Sequence, residues 1–142
     1  VTERACGECT ACCKAIGVVE LGKLSWQDCR HRTWRGCRRY RKRPLTCRQY
    51  ACLWLLGLGN EGDRPDKLGV IFSTDVVRDS LSLNAWQVIP GSMTQPRVMQ
   101  LLRAAARHTG LRSPNIIAEK DDPSWRSLTN VGTRYVDGEE QP

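Results

Sequence analysis

Seven of the eight cysteines lie in the first 47 residues, and four of them are gathered in Cys6-x2-Cys9-x2-Cys12-Cys13. No other feature limits so strongly what this chain can fold into. Thiols at steps of three, with a fourth adjacent, make a poor apolar core. They make a good set of soft donors around a metal ion. Cys29, Cys37, Cys47 and Cys52 follow, and no cysteine occurs from there to Pro142. The cysteines therefore form one local device.

The opening residues Val1-Thr2-Glu3-Arg4-Ala5-Cys6 contain no apolar run of the kind that leads a secreted chain, and no stretch approaches a membrane span. The expected setting is the cytosol, where thiols stay reduced, with no membrane partner. Vicinal Cys12-Cys13 and two overlapping CxxC units also make strained or ambiguous disulfide pairings. Metal binding is the stronger expectation on spacing and compartment together.

In CxxC both sulfurs reach one ion while turn N–H groups point at the thiolates, and Cys6/Cys9 and Cys9/Cys12 both have this spacing. Cys12 and Cys13 differ. Adjacent side chains diverge by roughly 100° in a helix and point oppositely in a strand. Either they serve two neighbouring sites or one of them packs. The first four thiols do not readily close a tetrahedral shell alone, so Cys29, Cys37, Cys47 and Cys52, with His31 as a further donor, are needed to complete it. Nine candidate ligands are enough for two tetrahedral sites. Softness and geometry favour zinc, with iron or an iron–sulfur cluster next. The opening triplet matches the first three ligands of a bacterial ferredoxin, but Cys13 follows at once where that pattern leaves a gap.

The formal charge of +7 counts the thiols as neutral. Two zinc sites of four thiolates each would bring it to about +3, so much of the basicity is internal compensation. Arg43 and Arg48 flank Cys47 and are expected to neutralise thiolates and donate hydrogen bonds to them. Arg35, Arg38, Arg39 and Arg41 are free to do the same, to contact nucleic acid, or simply to form a solvated face. No Ser-His-Asp signature, HExxH, Walker loop or glycine-rich phosphate loop is present. An iron–sulfur redox component is the enzyme-like reading left.

The cysteine pattern, together with Gly36-Cys37-x2-Tyr40-x2-Arg43-Pro44-x2-Cys47-Arg48-x-Tyr50-x-Cys52, resembles the CxxCxxCC zinc- or iron-chelating family, the YkgJ-type cysteine-cluster proteins. The resemblance covers about residues 5–58, and Arg64-Pro65-Asp66 with the following strand is similar to one branch. It implies metal chelation and little else about biological role. That branch often reads Cys-x-His-Cys where this chain has Cys29-Arg30-His31-Arg32, so Arg32 replaces a thiol and gives His31 or Cys52 more weight.

The fold expected is α+β. An N-terminal cysteine-rich, metal-organised lobe (1–59) precedes a small antiparallel sheet with one packed helix (60–142), the two forming one compact unit. In the first lobe, a helix entered at Arg43-Pro44 runs to about Leu56, with Tyr50, Leu53, Trp54 and Leu58 as its apolar stripe. Asn60 to Asp66 reads as a polar linker. Strands are expected at Leu68–Thr74, Leu81–Ile89, Asn115–Ala118 and Val131–Val136. A helix starting at Pro96 buries Val98, Met99, Leu101, Leu102, Ala105 and Ala106 and ends at Gly110. The acidic tail after Gly138 is expected to fray.

Overall fold

The computed structural model describes residues 4–77, 79–111, 114–119, 122, 133–136 and 139–141. Its centre is a five-stranded sheet of β3 (Val70–Val77), β4 (Ser80–Gln87), β5 (Asn115–Ala118), β6 (Thr133–Val136) and β7 (Glu139–Gln141), paired in that order. β3 and β4 form an antiparallel hairpin with Val70 across from Gln87 and Val77 across from Ser80. Asp79 adopts φ 62° in its tight turn, a conformation Asp tolerates better than most residues.

The sheet is mixed rather than antiparallel. β4 and β5 are parallel, as are β5 and β6, and only the outer pairs β3/β4 and β6/β7 are antiparallel. The reason is the connection. Helix α4 (Pro96–Thr109) crosses between β4 and β5 and returns the chain to the same end of the sheet. β7 includes residues 139–141, so this part of the tail is paired and not frayed.

α4 starts with proline at its first turn and ends on Gly110 at φ 73°, the left-handed cap that glycine takes without strain. Val98, Leu101, Leu102 and Ala105 are buried, a spacing of 3, 1 and 3 that makes one continuous stripe. They meet Val70, Phe72, Leu83, Ala85 and Ile116 from one face of the sheet. Burying each Val, Leu or Phe there contributes about 1.5–3 kcal/mol.

Val70, Ile71, Phe72 and Ser73 are all buried. Such a run belongs to a strand covered on both faces. Its second face carries Ile71, with Trp86 directly opposite and Val88 beyond. Ala11 and Ala15 of the cysteine lobe pack onto this face, with Trp26 and Tyr50 beside them. The sheet therefore lies between α4 and the N-terminal segment that bears the cysteines.

The helix expected to reach Leu56 stops after one turn: α2 is Leu45–Gln49, and Tyr50 is extended. The Leu53 N–H leaves the helical ladder and donates to the Phe72 carbonyl (2.7 Å), tying the segment to β3. The stripe is split between the two packings. Leu53 and Leu58 join the α4 side, and Tyr50 the lobe side.

Residues 60–66 are ordered and closely tied to their neighbours. Asn60 and Asp63 form a reciprocal cap on the 3₁₀ turn Glu61–Asp63, followed by α3 (Pro65–Leu68). The Trp54 indole N–H donates to the Asn60 carbonyl (2.8 Å), and Arg4 donates to the carbonyls of Trp54, Leu58 and Gly59. Among the described residues no helix is long and apolar enough to cross a membrane.

Candidate metal centre

Helix α1 (Ala11–Ala15) is a single turn and more. Its two alanines are four apart, on one side, and both are buried against the sheet. Their small size lets the helix lie close to Ile71. Cys12 packs on the same buried cluster, and Cys13 is not among its residues. Before the helix, the Cys9 N–H donates to the Cys6 carbonyl (2.9 Å) and the Cys13 N–H to that of Thr10 (3.0 Å), closing two consecutive turns.

The distal cysteines are brought in by three separate contacts. The Cys29 N–H donates to the Cys13 carbonyl (3.1 Å). A short hairpin of β1 (Arg32–Thr33) and β2 (Gly36–Cys37) carries Cys37. It seats against the Cys6–Cys9 turn at Gly36, where a Cβ would lie 2.5 Å from the Gly7 carbonyl oxygen and φ is +119°. Only glycine fits there. α2 carries Cys47 and has no cap from its own N-cap residue, Pro44. Glu20 supplies one instead, accepting from the Thr46 N–H (3.0 Å) and hydroxyl (2.6 Å).

All eight cysteines and His31 line one cavity of about 90 Å³. This is several times the roughly 10–15 Å³ that one water-sized sphere needs. Every one of the eight thiols is free and half-buried. Among the described residues, no three Cys, His, Asp or Glu side chains stand in ligating geometry as they are.

The thiols are electrostatically unequal. A hydrogen bond from the Cys12 thiol lowers Cys13 to about 7, helped by Lys23, Arg32 and Arg43 against the opposing effect of burial. The same bond, then burial, pushes Cys12 well up. Burial raises Cys9 to about 11, and burial is also the first cause of the upward shifts of Cys37, Cys47 and Cys52. Neighbouring thiols push each of these further up.

Positive charge is built around the cavity. Arg43 lines it, stacks over the Tyr40 ring at 4.0 Å, and acts on Cys13, Cys37 and Cys47. Arg48 is exposed on α2 and is not among the lining residues. Arg32 staples the hairpin to α1 by donating to the Thr10 hydroxyl (2.9 Å), and pairs with Asp28 (2.9 Å).

Two contributors were not read from the sequence. Lys23 is buried, donating to the carbonyls of Lys14, Ile16 and Leu24. Desolvation lowers its pKa, and Cys29, Cys13 and Cys12 oppose that. Asp66 accepts a hydrogen bond from Cys9 and is held by Arg64 at 2.6 Å. A lysine between apolar residues carries no sequence signal of burial. Asp66 lay in what looked like a linker.

His31 turns its backbone N–H toward the Cys29 sulfur (3.5 Å), and its Nε2 is covered without a partner. Burial, then Arg39, Arg30 and Arg38, lower its pKa and favour the neutral, ligand-competent imidazole. A set of clustered thiols, a neutral imidazole and surrounding cations fits a soft or borderline metal ion. Comparison with family models matched none, and comparisons with curated proteins and with solved structures likewise matched none.

Proposed function

We propose that this chain is a metal-binding cysteine-cluster protein of the CxxCxxCC chelating type, holding zinc in preference to iron or an iron–sulfur cluster. The metal is at least structural, and metal handling or regulation is built upon it. The observation that carries this reading is the convergence of all eight cysteines, from five separate segments, on one cavity. Burial first, and neighbouring thiols after it, hold Cys9, Cys47 and Cys52 against ionisation. A bound divalent cation supplies the opposite charge that makes eight clustered thiolates tolerable. The lobe has only short helices and a two-residue-stranded hairpin of its own, so cross-linking through sulfur would stabilise it. A reducing compartment such as the cytosol suits the same chemistry.

Protein purified without oxygen, analysed for metal and by visible spectroscopy, tests this. The expected result is a colourless protein with one to two zinc ions per chain. A brown protein that bleaches in air supports the iron–sulfur redox alternative. A metal-free, folded protein with Cys6, Cys9, Cys12 and Cys13 in disulfides sinks the proposal.

Nucleic-acid binding is a second reading, favoured by one observation. Trp34 is 79% exposed at the hairpin tip, with the Arg35 guanidinium stacked 4.4 Å over its ring. Exposed aromatics beside arginines suit stacking on unpaired bases. Binding of a single-stranded oligonucleotide that weakens steeply with salt, and again on Trp34→Ala, would support it. Salt-insensitive or absent binding would exclude it.

A further inference from the structure

We infer that the eight thiols divide into two four-cysteine sites, Cys6, Cys9, Cys12 and Cys52 on the sheet side and Cys13, Cys29, Cys37 and Cys47 on the basic side, each for one soft divalent ion, the second being the exchangeable one. This rests on the metal-chelating reading and goes beyond it in assigning every cysteine.

The division begins at the vicinal pair. α1 is pinned to the sheet through Ala11 and Ala15, and successive side chains on a helix point about 100° apart. Cys12 packs against the buried cluster of Ala11, Ala15, Ile71 and Val88 on the sheet's second face. Cys13 is not among the residues packed on that cluster, and its carbonyl accepts from the Cys29 N–H. Cys9 and Cys52 pack on the same buried cluster as Cys12. Cys6 is joined to Cys9 by their shared turn. None of Cys13, Cys29, Cys37 and Cys47 belongs to that cluster. Cys29 and Cys37 are linked through His31, which offers its N–H to the Cys29 sulfur and its carbonyl to the N–H of Arg38 (2.8 Å).

Cys47, on α2, lines the same cavity and lies outside the sheet-side cluster. The quartets touch at the Cys12–Cys13 step, which sets the two ions side by side.

The sites differ in how firmly their donors are held. Three sheet-side thiols pack on the buried face of the central sheet. Three of the basic-side donors, Cys29, Cys37 and Cys47, sit on a loop, a two-residue strand and a five-residue helix held by Glu20. Segments with few buried contacts open at low free-energy cost. In each site a thiol gives its proton to solvent as its sulfur–metal bond forms, so loading releases protons. Four thiolates around a divalent ion leave a charge of −2. Lys23 and Arg43 line the cavity and compensate this charge.

The full chain loaded with ¹¹³Cd²⁺ tests the inference. Two resonances in the all-thiolate region are expected, and excess chelator should remove cadmium in two phases of one equivalent each. Cys47→Ser and Cys37→Ser should each abolish the fast phase alone, and Cys52→Ser the slow phase alone. If Cys52→Ser does not fold, the wild-type spectrum and the two basic-side variants decide. One resonance, or loss of the slow phase in Cys47→Ser, overturns the division while leaving metal binding intact. No cadmium bound by the reduced protein overturns both.

Discussion

Arg97 on α4 grips Asp63 with both arms of its guanidinium, Nε to Oδ1 at 2.9 Å and Nη2 to Oδ2 at 2.5 Å. Asp63 is only 5% exposed, and its other duty is to accept the Asn60 N–H at 2.8 Å. One carboxylate therefore joins the main helix to the segment leading from the cysteine lobe. Beyond that segment, Trp54 and Arg4 hold the carbonyls of Asn60, Leu58 and Gly59. A stretch whose composition reads as linker is in fact a joint.

Arg97 lowers the pKa of Asp63, first by its hydrogen bonds, against the opposing effect of burial. A carboxyl lowered in the folded state stabilises above its unfolded value, about 3.9, and that contribution is lost as pH falls through the folded value. Arg97→Ala should lower the urea midpoint at pH 7 more than Arg107→Ala, an exposed change on the same helix. The difference should shrink at low pH. Equal midpoints for the two variants at pH 7 would show that the joint is not stabilising.

Ala15 is fully buried where α1 meets the sheet. Ala15→Leu should force the helix away from Ile71 and cost about 1–3 kcal/mol by overpacking. Because Cys12 and Cys13 ride on that helix, metal content should fall with the denaturation midpoint. Unchanged stability and unchanged metal content would show that α1 does not position the thiols through this contact.

Gly36→Ala sets a methyl group against the Gly7 carbonyl, in a backbone conformation that side chains rarely adopt. The strain should cost about 1–3 kcal/mol and lift the hairpin carrying Cys37 off the Cys6–Cys9 turn. Gly22→Ala is a suitable control, since Gly22 also has positive φ but a Cβ there meets nothing. Thermal midpoints of the two variants, measured with and without added zinc, should separate the clash from the backbone term.

Lys23→Met removes a buried ammonium and leaves the carbonyl of Ile16 without its donor. An unsatisfied buried acceptor costs about 1–3 kcal/mol. The variant should also bind metal more weakly, since Lys23 acts on Cys13 and is itself acted on by Cys12, Cys13 and Cys29. Chelator competition measures this directly, and unaltered affinity would deny Lys23 an electrostatic role.

Much of the body was legible in the sequence. Val98, Leu101, Leu102 and Ala105 repeat at helical spacing between Pro96 and Gly110, and the observed helix has those ends. The alternation around Leu83 and Ala85 marks β4, and the β-branched run from Val70 marks β3. Direction was not legible, because a strand's sequence does not record which way its neighbour runs. The α2 stripe misled for a related reason. Tyr50, Leu53 and Leu58 have helical spacing, but they serve two cores on opposite sides of the sheet, and a bond from Leu53 to β3 replaces the helical one.

The sequence by itself determined which residues are available for soft-metal chemistry and which segments can form strand or helix. Both depend on side-chain type and local spacing. Tertiary structure decided that Ile71 and Trp86 face the cysteine lobe while Phe72 and Leu83 face α4. It also brought Cys29, Cys37, Cys47 and Cys52 to the cavity opened by Cys6 and Cys13. Those placements depend on contacts far apart in the chain, such as Glu20 with Thr46 and Gly36 with Gly7, which act only once the backbone has closed around them.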